Sequence, residues 1–509
     1  MIKYITKNSL TLHNKWLVLV LISVALFLVG IDMTVLYTAL PTLTHDLNAS
    51  NSQKLWIINA YPLVMAGLLP GFGTLGDRIG HRSIFIWGLA VFGLASLIMA
   101  FSPTANLLIA GRAFLAIGAA MMSPATLAIL RQTFVTDKER TLAIGIWGSV
   151  SAGANAFGPL IGGALLSRFW WGSVFLINVP VILVALLFAP VLLKKRPGNP
   201  DRVWDFFSSL LIMIGIVGLV YALKEFIKAD SDSIHAFIAL IIGIVFMALF
   251  VKRQKGSSSP MIDFGLFRNS QFIGGVVVIL VSMLGLMGVQ FALTQRLQLV
   301  QGYTPLDAGI FILPVFIASF IAGPTIGAIL PRIGIIRSLW MSMFVAATGI
   351  IIFACFHREP LAMQIIALLL IGFGIGSGMA TGSSAIMLNA PENKAGMAAS
   401  IETVSYELGG ALGVAIIGSI MTFVYTKTII LPKGLVEGDI AKDSIDQALL
   451  LSEKLNTNMA SELINSARLA FDQAFHSVIL MVAVIMILLG LVFLIVFGSN
   501  RKEKQNINH

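Results

Sequence analysis

Of the 509 residues, 57% are hydrophobic and only 11% charged, against about 25% charged in soluble domains, so most of the chain must face lipid or other apolar helices. The formal net charge of +10 would suit a nucleic-acid binder. The basic residues, however, are scattered through short loops between apolar runs, so they read as topology signals and nucleic acid is excluded as a partner. The single cysteine, Cys355, lies in an apolar run, and the seven histidines are dispersed. Neither a disulfide framework nor a metal site follows.

In chain order, the basic segment 1–15 leads into an apolar run from Trp16 to about Leu40. That run is too long for a secretory signal and lacks a small-residue cleavage site, so it reads as a retained first helix. Fourteen segments can cross the roughly 30 Å of hydrocarbon. They lie near 16–40, 54–75, 84–101, 105–130, 141–165, 171–193, 204–223, 234–251, 271–295, 307–330, 338–356, 360–388, 396–425 and 473–497. With the first helix starting inside, an even count returns the tail Arg501–His509 to the cytoplasm. This topology puts 22 Lys and Arg inside, 11 outside and only Arg112 within a span, the expected bias. The organisation predicted is a six-helix bundle over 1–193, two extra helices over 194–270, and a second six-helix bundle over 271–509. The last unit includes a long external loop near 426–471, whose periodic Leu and Ile among charged residues fit a solvated amphipathic cap.

Between the second and third spans stands Gly73-Thr74-Leu75-Gly76-Asp77-Arg78-Ile79-Gly80-His81-Arg82. So tight a break must turn the chain within about one helix diameter. Glycines allow close approach and unusual φ, Asp77 can sit at the positive end of a helix dipole, and the basic cluster marks a cytoplasmic face. An ordinary basic hairpin would not need Gly73, Asp77 and Gly80 at those offsets. The order G-x-L-x-D-R-x-G-x-R resembles the loop signature of the major facilitator superfamily. A degenerate echo, Gly327-Ala328-Ile329-Leu330-Pro331-Arg332-Ile333-Gly334, has Pro331 in place of Asp77, as duplicated halves leave behind.

Three further stretches strengthen the resemblance. In span four, Leu107-Leu108-Ile109-Ala110-Gly111-Arg112, followed by Gly118, is similar to a second superfamily signature built on a buried arginine. In span five, Gly153-Ala154-Asn155-Ala156-Phe157-Gly158-Pro159-Leu160-Ile161-Gly162-Gly163 resembles the motif of the superfamily's antiporters. A Gly-Pro pair bends a helix there, and spaced glycines let a neighbour approach. Phe175-Leu176-Ile177-Asn178-Val179-Pro180 is similar to a segment of the fourteen-span drug:proton antiporter branch. The resemblance is closest to the QacA- and SmvA-like exporters of lipophilic cations.

A charge at the bilayer centre costs about 2.5–3.5 kcal/mol on insertion scales, so each needs a partner, a wet cavity or a proton. Asp32 lies about 24 Å into span one at 1.5 Å per residue, and Arg112 falls at a similar depth in span four. The two can pair. A permanently salt-bridged Asp32 is the plain reading, and a carboxylate that exchanges protons and cations is the sharper one. In span thirteen, Glu402 and Glu407 are offset by about 140° around the helix, so both cannot point into one cavity. Glu407, about 17 Å deep, is the stronger candidate, and Glu402 reads as a packing or near-surface carboxylate. The resemblance implies acids in this span. It also leads one to expect a further acid in span ten for divalent cations, but 313–327 has none.

Gly372-Phe373-Gly374-Ile375-Gly376-Ser377-Gly378 looks like a nucleotide loop but lies inside an apolar span, so it reads as a packing face. No G-x-x-x-x-G-K-[ST] occurs and no nucleophile–base arrangement stands out, which argues against ATP as driver and against an enzyme. The expectation is an all-α integral membrane protein of the major facilitator fold, monomeric, in a bacterial cytoplasmic (inner) membrane with both termini cytoplasmic. It would exchange protons for hydrophobic, mainly cationic compounds, drawing on the proton motive force without a cofactor. Asp32, Glu407, Glu402 and Arg112 would handle protons and substrate. Gly73, Asp77, Arg78, Gly80 and Arg82 would gate, as would the span-five set Gly153, Gly158, Pro159, Gly162 and Gly163. Export of another solute by the same fold, such as tetracycline, an amino acid or a siderophore, is the alternative.

Overall fold

Apolar runs of this length can satisfy their backbone in hydrocarbon only by closing every N–H and C=O within a helix, and the regular structure among the described residues is helical. The structure, a computed structural model, describes residues 2–199, 204–227, 233–257, 260–356, 360–391, 394–433, 435 and 438–506. Positions 200–203 of the basic linker and 507–509 of the tail lie outside the described residues.

The helices are α1 (Ile2–Asp46), α2 (Asn51–Ile79), α3 (His81–Ala100), α4 (Ala105–Thr133), α5 (Asp137–Leu166), α6 (Ser173–Leu176), α7 (Asn178–Leu192), α8 (Phe206–Ile227) and α9 (Ser233–Lys255). After them come α10 (Ser270–Gln295), α11 (Pro305–Ile333), α12 (Ile335–Phe356), α13 (Leu361–Asn389), α14 (Ala395–Thr428), α15 (Gly438–Asp443), α16 (Ile445–Ser452) and α17 (Thr457–Asn506). Thirteen helices among the described residues are long and apolar enough to cross a membrane. Helix α5 is not among them; its stretch Phe157–Leu166 is a shorter apolar helix, so the architecture is compatible with the fourteen spans expected.

Helix packing follows the small residues. Gly88 and Gly118 bring α3 and α4 into backbone contact. The glycine-rich run of α13 is a packing face as its composition implies: Gly372 and Gly376 meet α11 at Val315 and Ser319, and Gly374 meets α12 at Ala346. Helices α1 to α7 pack chiefly on one another, as do α10 to α14 with α17, while α8 pairs with α9 and also touches α2 and α14. Gly67 and Gly71 of α2 seat Met213 and Ser209 of α8. Span six is broken at Ile177, where α6 gives way to α7 and the buried Asn178 donates from Nδ2 to Ser96 Oγ at 3.2 Å.

The two groups touch at one end and diverge at the other. Gly309 of α11 lies against Pro159 of α5, and a Cβ on it would sit 2.7 Å from the Pro159 carbonyl. Gly327 lies about five turns further along α11 on the same face, yet a Cβ there would meet nothing within 4 Å. A cleft therefore opens toward the end that carries Asp77. At the far end, Asn51 Nδ2 donates to Thr422 Oγ1 at 2.6 Å and Gln298 Nε2 to the Thr38 carbonyl at 3.1 Å, each joining one helix group to the other.

The segment 426–471 departs from the solvated cap expected. Helices α15 and α16 dock on that far end, burying Ile445, Asp446, Ala448 and Leu451. Ser444 caps α16, accepting from Gln447 N at 3.3 Å. Helix α17 begins at Thr457, well before the expected 473. The apolar face of this amphipathic stretch is covered by α1 and α17, which is why it does not remain a solvated helix.

Candidate functional site

The buried charges gather around α1, α2, α4 and α14. Arg112 is 1% exposed. It donates from Nη1 to Asp32 Oδ2 and from Nε to the Ile57 carbonyl at 3.1 Å, and its guanidinium lies 4.7 Å from the Tyr61 ring centroid. This ion pair has the two partners, the carbonyl and the aromatic face that a desolvated guanidinium needs. Asp32 Oδ1 has no hydrogen-bond partner among the described residues. Glu407 is 6% exposed, its Oε2 has no partner among the described residues, and it lies close enough for its charge to act on Arg112, Tyr37 and Tyr61. One cation and two carboxylates are buried together here, so the cluster carries one more negative charge than positive when both acids are ionised. That excess suits a cationic ligand or a proton.

Glu402 does not join them. It accepts from Tyr406 Oη at 3.3 Å and has the Ser383 hydroxyl beside it, on the side of α14 facing α13. The angular offset read from the sequence thus separates the two glutamates.

The loop signature is one residue long. Helix α2 runs to Ile79, α3 starts at His81, and Gly80 between them has φ +94°, a conformation costly for any residue with a Cβ. Asp77 lies in the last turn of α2 rather than at the positive end of a helix dipole, its carboxylate 3.2 Å from His81 Nε2. Arg82 Nη2 donates to the Pro190 carbonyl at 2.8 Å. The basic linker lies over this loop: Asn199 N donates to the Asp77 carbonyl at 2.9 Å, and Gly198 is pressed against the Arg78 carbonyl. Gly73 faces Pro124 of α4. In the echo, Gly334 is again a single residue between two helices, with φ +79°. The backbone repeat outlasts the loss of Asp77's counterpart to Pro331.

The span-five glycines form a two-sided seam. A Cβ at Gly158 would lie 1.9 Å from Thr34 Oγ1, and one at Gly162 would meet Val35, so this face seats α1. Gly163 lies against Leu306 and Pro159 against Gly309, so the adjacent face seats α11. Gly153 has nothing within 4 Å and stands outside the seam.

A model of the major facilitator superfamily matches residues 22–414. The chain belongs to the major facilitator superfamily. It is 40% identical over 481 residues to the methyl viologen resistance protein SmvA of Salmonella typhimurium, covering 94% of this chain and 97% of that protein. It is 36% identical over 461 residues to the multidrug efflux pump LfrA of Mycolicibacterium smegmatis, covering 90% and 91%. Among solved structures, the fold is shared with a bacterial homologue of the human lysosomal transporter Spinster in an inward-facing, unoccupied conformation. That match has a TM-score of 0.66 and 16% identity, over 94% of this chain and 98% of that one. The chain is thus a multi-pass membrane transporter of this superfamily, not an enzyme.

Two buried ion pairs escape a reading by span. Lys54 Nζ pairs with Asp446 Oδ2, and Arg296 Nε donates to Asp472 Oδ1 at 2.7 Å with its guanidinium 5.0 Å from the Phe475 ring. Lys54 and Arg296 are each 3% exposed, although the sequence places Arg296 in an external loop and Lys54 at the outer end of the second span. Their signal is positional only: Lys54, Arg296 and Asp472 stand at the ends of apolar runs, and Asp446 stands within the long loop.

Proposed function

We propose that this chain is a proton-coupled multidrug exporter, carrying lipophilic, mainly cationic compounds such as quaternary ammonium biocides, dyes and methyl viologen out across a bacterial cytoplasmic (inner) membrane. The observation that carries the reading is the cluster in which Asp32 and Glu407, both buried, share Arg112. With one free carboxylate oxygen on each acid, a cation can enter only where a proton has left, and the next proton displaces the cation. Competition for one negative charge is the simplest physical basis of exchange. Arg112 holds Asp32 ionised while they are paired. Motion of α1 against α4 would release it.

The seam of Gly158, Gly162 and Gly163 lies where α5 meets both α1 and α11, so it serves rocking of one bundle on the other. Gly73, Asp77, Arg78, Gly80 and Arg82 govern the opposite end. The drive is the proton motive force, without ATP or a cofactor, and the working unit is a monomer in lipid. With both termini cytoplasmic, the cleft would open inward and α15 and α16 would cap the external face. The relatives named for drug efflux and methyl viologen resistance support the substrate class.

The test is ethidium transport in energised everted vesicles carrying the protein. Transport is expected, and a protonophore should abolish it. Transport that survives the protonophore but stops without ATP would overturn the reading. A reporter fused near Gly438 should be external.

A further inference from the structure

Helix α10 packs on α13, α14 and α17 through distinct residues. Gly275, Ile279 and Ser282 meet α13 at Gly382 and Gly378; Leu284 and Gly288 meet α14 at Gly413; Gly274 and Gly285 meet α17 at Phe493 and Met486. At 100° per residue these directions leave a stripe, Met283, Met287, Gln290 and Thr294, between the α13 and α14 faces and turned toward the first helix group; its two methionines also touch α14, at Gly409 and Gly410. The same side continues to Gln298, whose amide bonds the Thr38 carbonyl of α1. The stripe is therefore the wall of the cavity opposite Asp32.

Gln290 is 3% exposed, and neither its Oε1 nor its Nε2 has a partner among the described residues; the Thr294 hydroxyl is unpartnered too. A buried primary amide with both ends unsatisfied is rare in a packed core and calls for a ligand. Depth agrees. From the Gln298–Thr38 contact, Gln290 lies about 12 Å down α10 and Asp32 about 9 Å down α1, so the two face each other at nearly one level. Charge sits on one wall and a neutral amide on the other.

We propose that Gln290 is a specificity-determining residue of the cavity, its carbonyl oxygen accepting a hydrogen bond from N–H groups of the cargo while the carboxylates take its positive charge. The inference rests on the export reading above. The amide separates cations bearing N–H groups from those with none. Met283 and Met287, beside it, supply polarizable contact to either kind.

The experiment compares ethidium, which carries aromatic amino groups, with tetraphenylphosphonium, which has no N–H. Transport of both is measured in everted vesicles for the wild type and for Gln290→Leu, Gln290→Met and Gln290→Asn. Wild-type transport of either cation that responds to a protonophore tests the export reading by itself. The inference is read only from the ratio of ethidium to tetraphenylphosphonium rates, which a general folding defect does not move. That ratio should fall about tenfold in the Leu and Met variants, the weight of one hydrogen bond, and be largely kept by Asn. An unchanged ratio in Gln290→Leu, or equal ratios in the Met and Asn variants, would overturn it.

Discussion

Arg112 binds one oxygen of Asp32 and leaves the other, Oδ1, without a partner among the described residues in a site that is 1% exposed. A pair made only for stability would have both oxygens satisfied, because an unpaired buried polar atom costs about 1–3 kcal/mol. On the proposed reading, the open oxygen takes a proton or a cation. Asp32→Asn keeps the shape and removes the exchangeable charge, so uphill transport should fall at least about a hundredfold, the scale of losing a close charge interaction. Proton release on adding a cationic substrate to purified protein, followed with a pH dye, should vanish with it. Glu407→Gln should weaken coupling in the same sense and Glu402→Gln much less, since Glu402 faces Tyr406 and Ser383 instead. If the Asp32→Asn, Glu407→Gln double variant still pumped against a gradient, the coupling would lie elsewhere.

Gly158 tests the seam. A methyl group there would overlap Thr34 Oγ1 at 1.9 Å and Thr34 Cβ at 2.8 Å, so α1 and α5 must separate to admit it. Overpacking of this kind costs about 1–3 kcal/mol. Gly158→Ala should lower the melting temperature in detergent and slow transport, and Gly158→Leu should do both more severely. Thr34→Ala removes the nearer atom and should restore part of the loss in the Gly158→Ala background. Gly153→Ala, with nothing within 4 Å of the new methyl, should melt as the wild type does. Equal losses at positions 153 and 158 would refute a packed seam.

On the proposed reading, the pH dependence of transport should come from the membrane carboxylates and not from the surface pairs. Lys394 binds Asp263 and, with the Gly265 amide, holds the Asp263 carboxyl below the usual carboxylate range. A depressed folded value contributes stability above the unfolded pKa, near 3.9, and loses it as pH falls through the folded one. Between about pH 6 and 8 the Asp263 carboxyl is fully ionised and cannot shape a profile. Lys394→Gln and wild type should therefore give transport rates with the same pH dependence across that window. A midpoint shifted in Lys394→Gln would mean that the linker, not the cavity, titrates.

Much of this was legible in the sequence because a membrane leaves few options. Length and apolarity dictate helices, and motifs such as Gly73 to Arg82 carry their own geometry: Gly80 needs its left-handed φ, and Gly158 needs its absent Cβ. The pairing of Asp32 with Arg112 followed from matched depth. What stayed hidden was contact across the chain. Nothing local in Lys54 or Asp446, 392 residues apart, tells that they meet: one stands at the start of a span and the other reads as a loop charge. Nor does Gln290 stand out in a helix until the faces of α10 are assigned to neighbours. Asp77 sits in the last turn of a helix because α2 runs on to Ile79, a boundary that hydropathy alone places several residues early.

Lys54 and Asp446 tie α16 to α2, with Thr44 Oγ1 a second partner to the carboxylate at 3.3 Å. Around them Asn51 N donates to Asp443 Oδ2 at 3.0 Å, and Gln447 Nε2 to the Ala49 carbonyl at 3.1 Å. Removing one member of a buried pair strands the other and costs about 3–5 kcal/mol, whereas replacing both by apolar residues of similar size is often neutral. Lys54→Met alone and Asp446→Leu alone should therefore each lower the melting temperature, and the double variant should recover most of the loss. Coupling this strong also predicts that the singles loosen α16, read as faster hydrogen exchange over 445–452. If the singles melted like the wild type and exchange did not rise, the pair would be solvated and α16 no more than a surface lid. If the double variant were as unstable as the sum of the singles, the two charges would act separately.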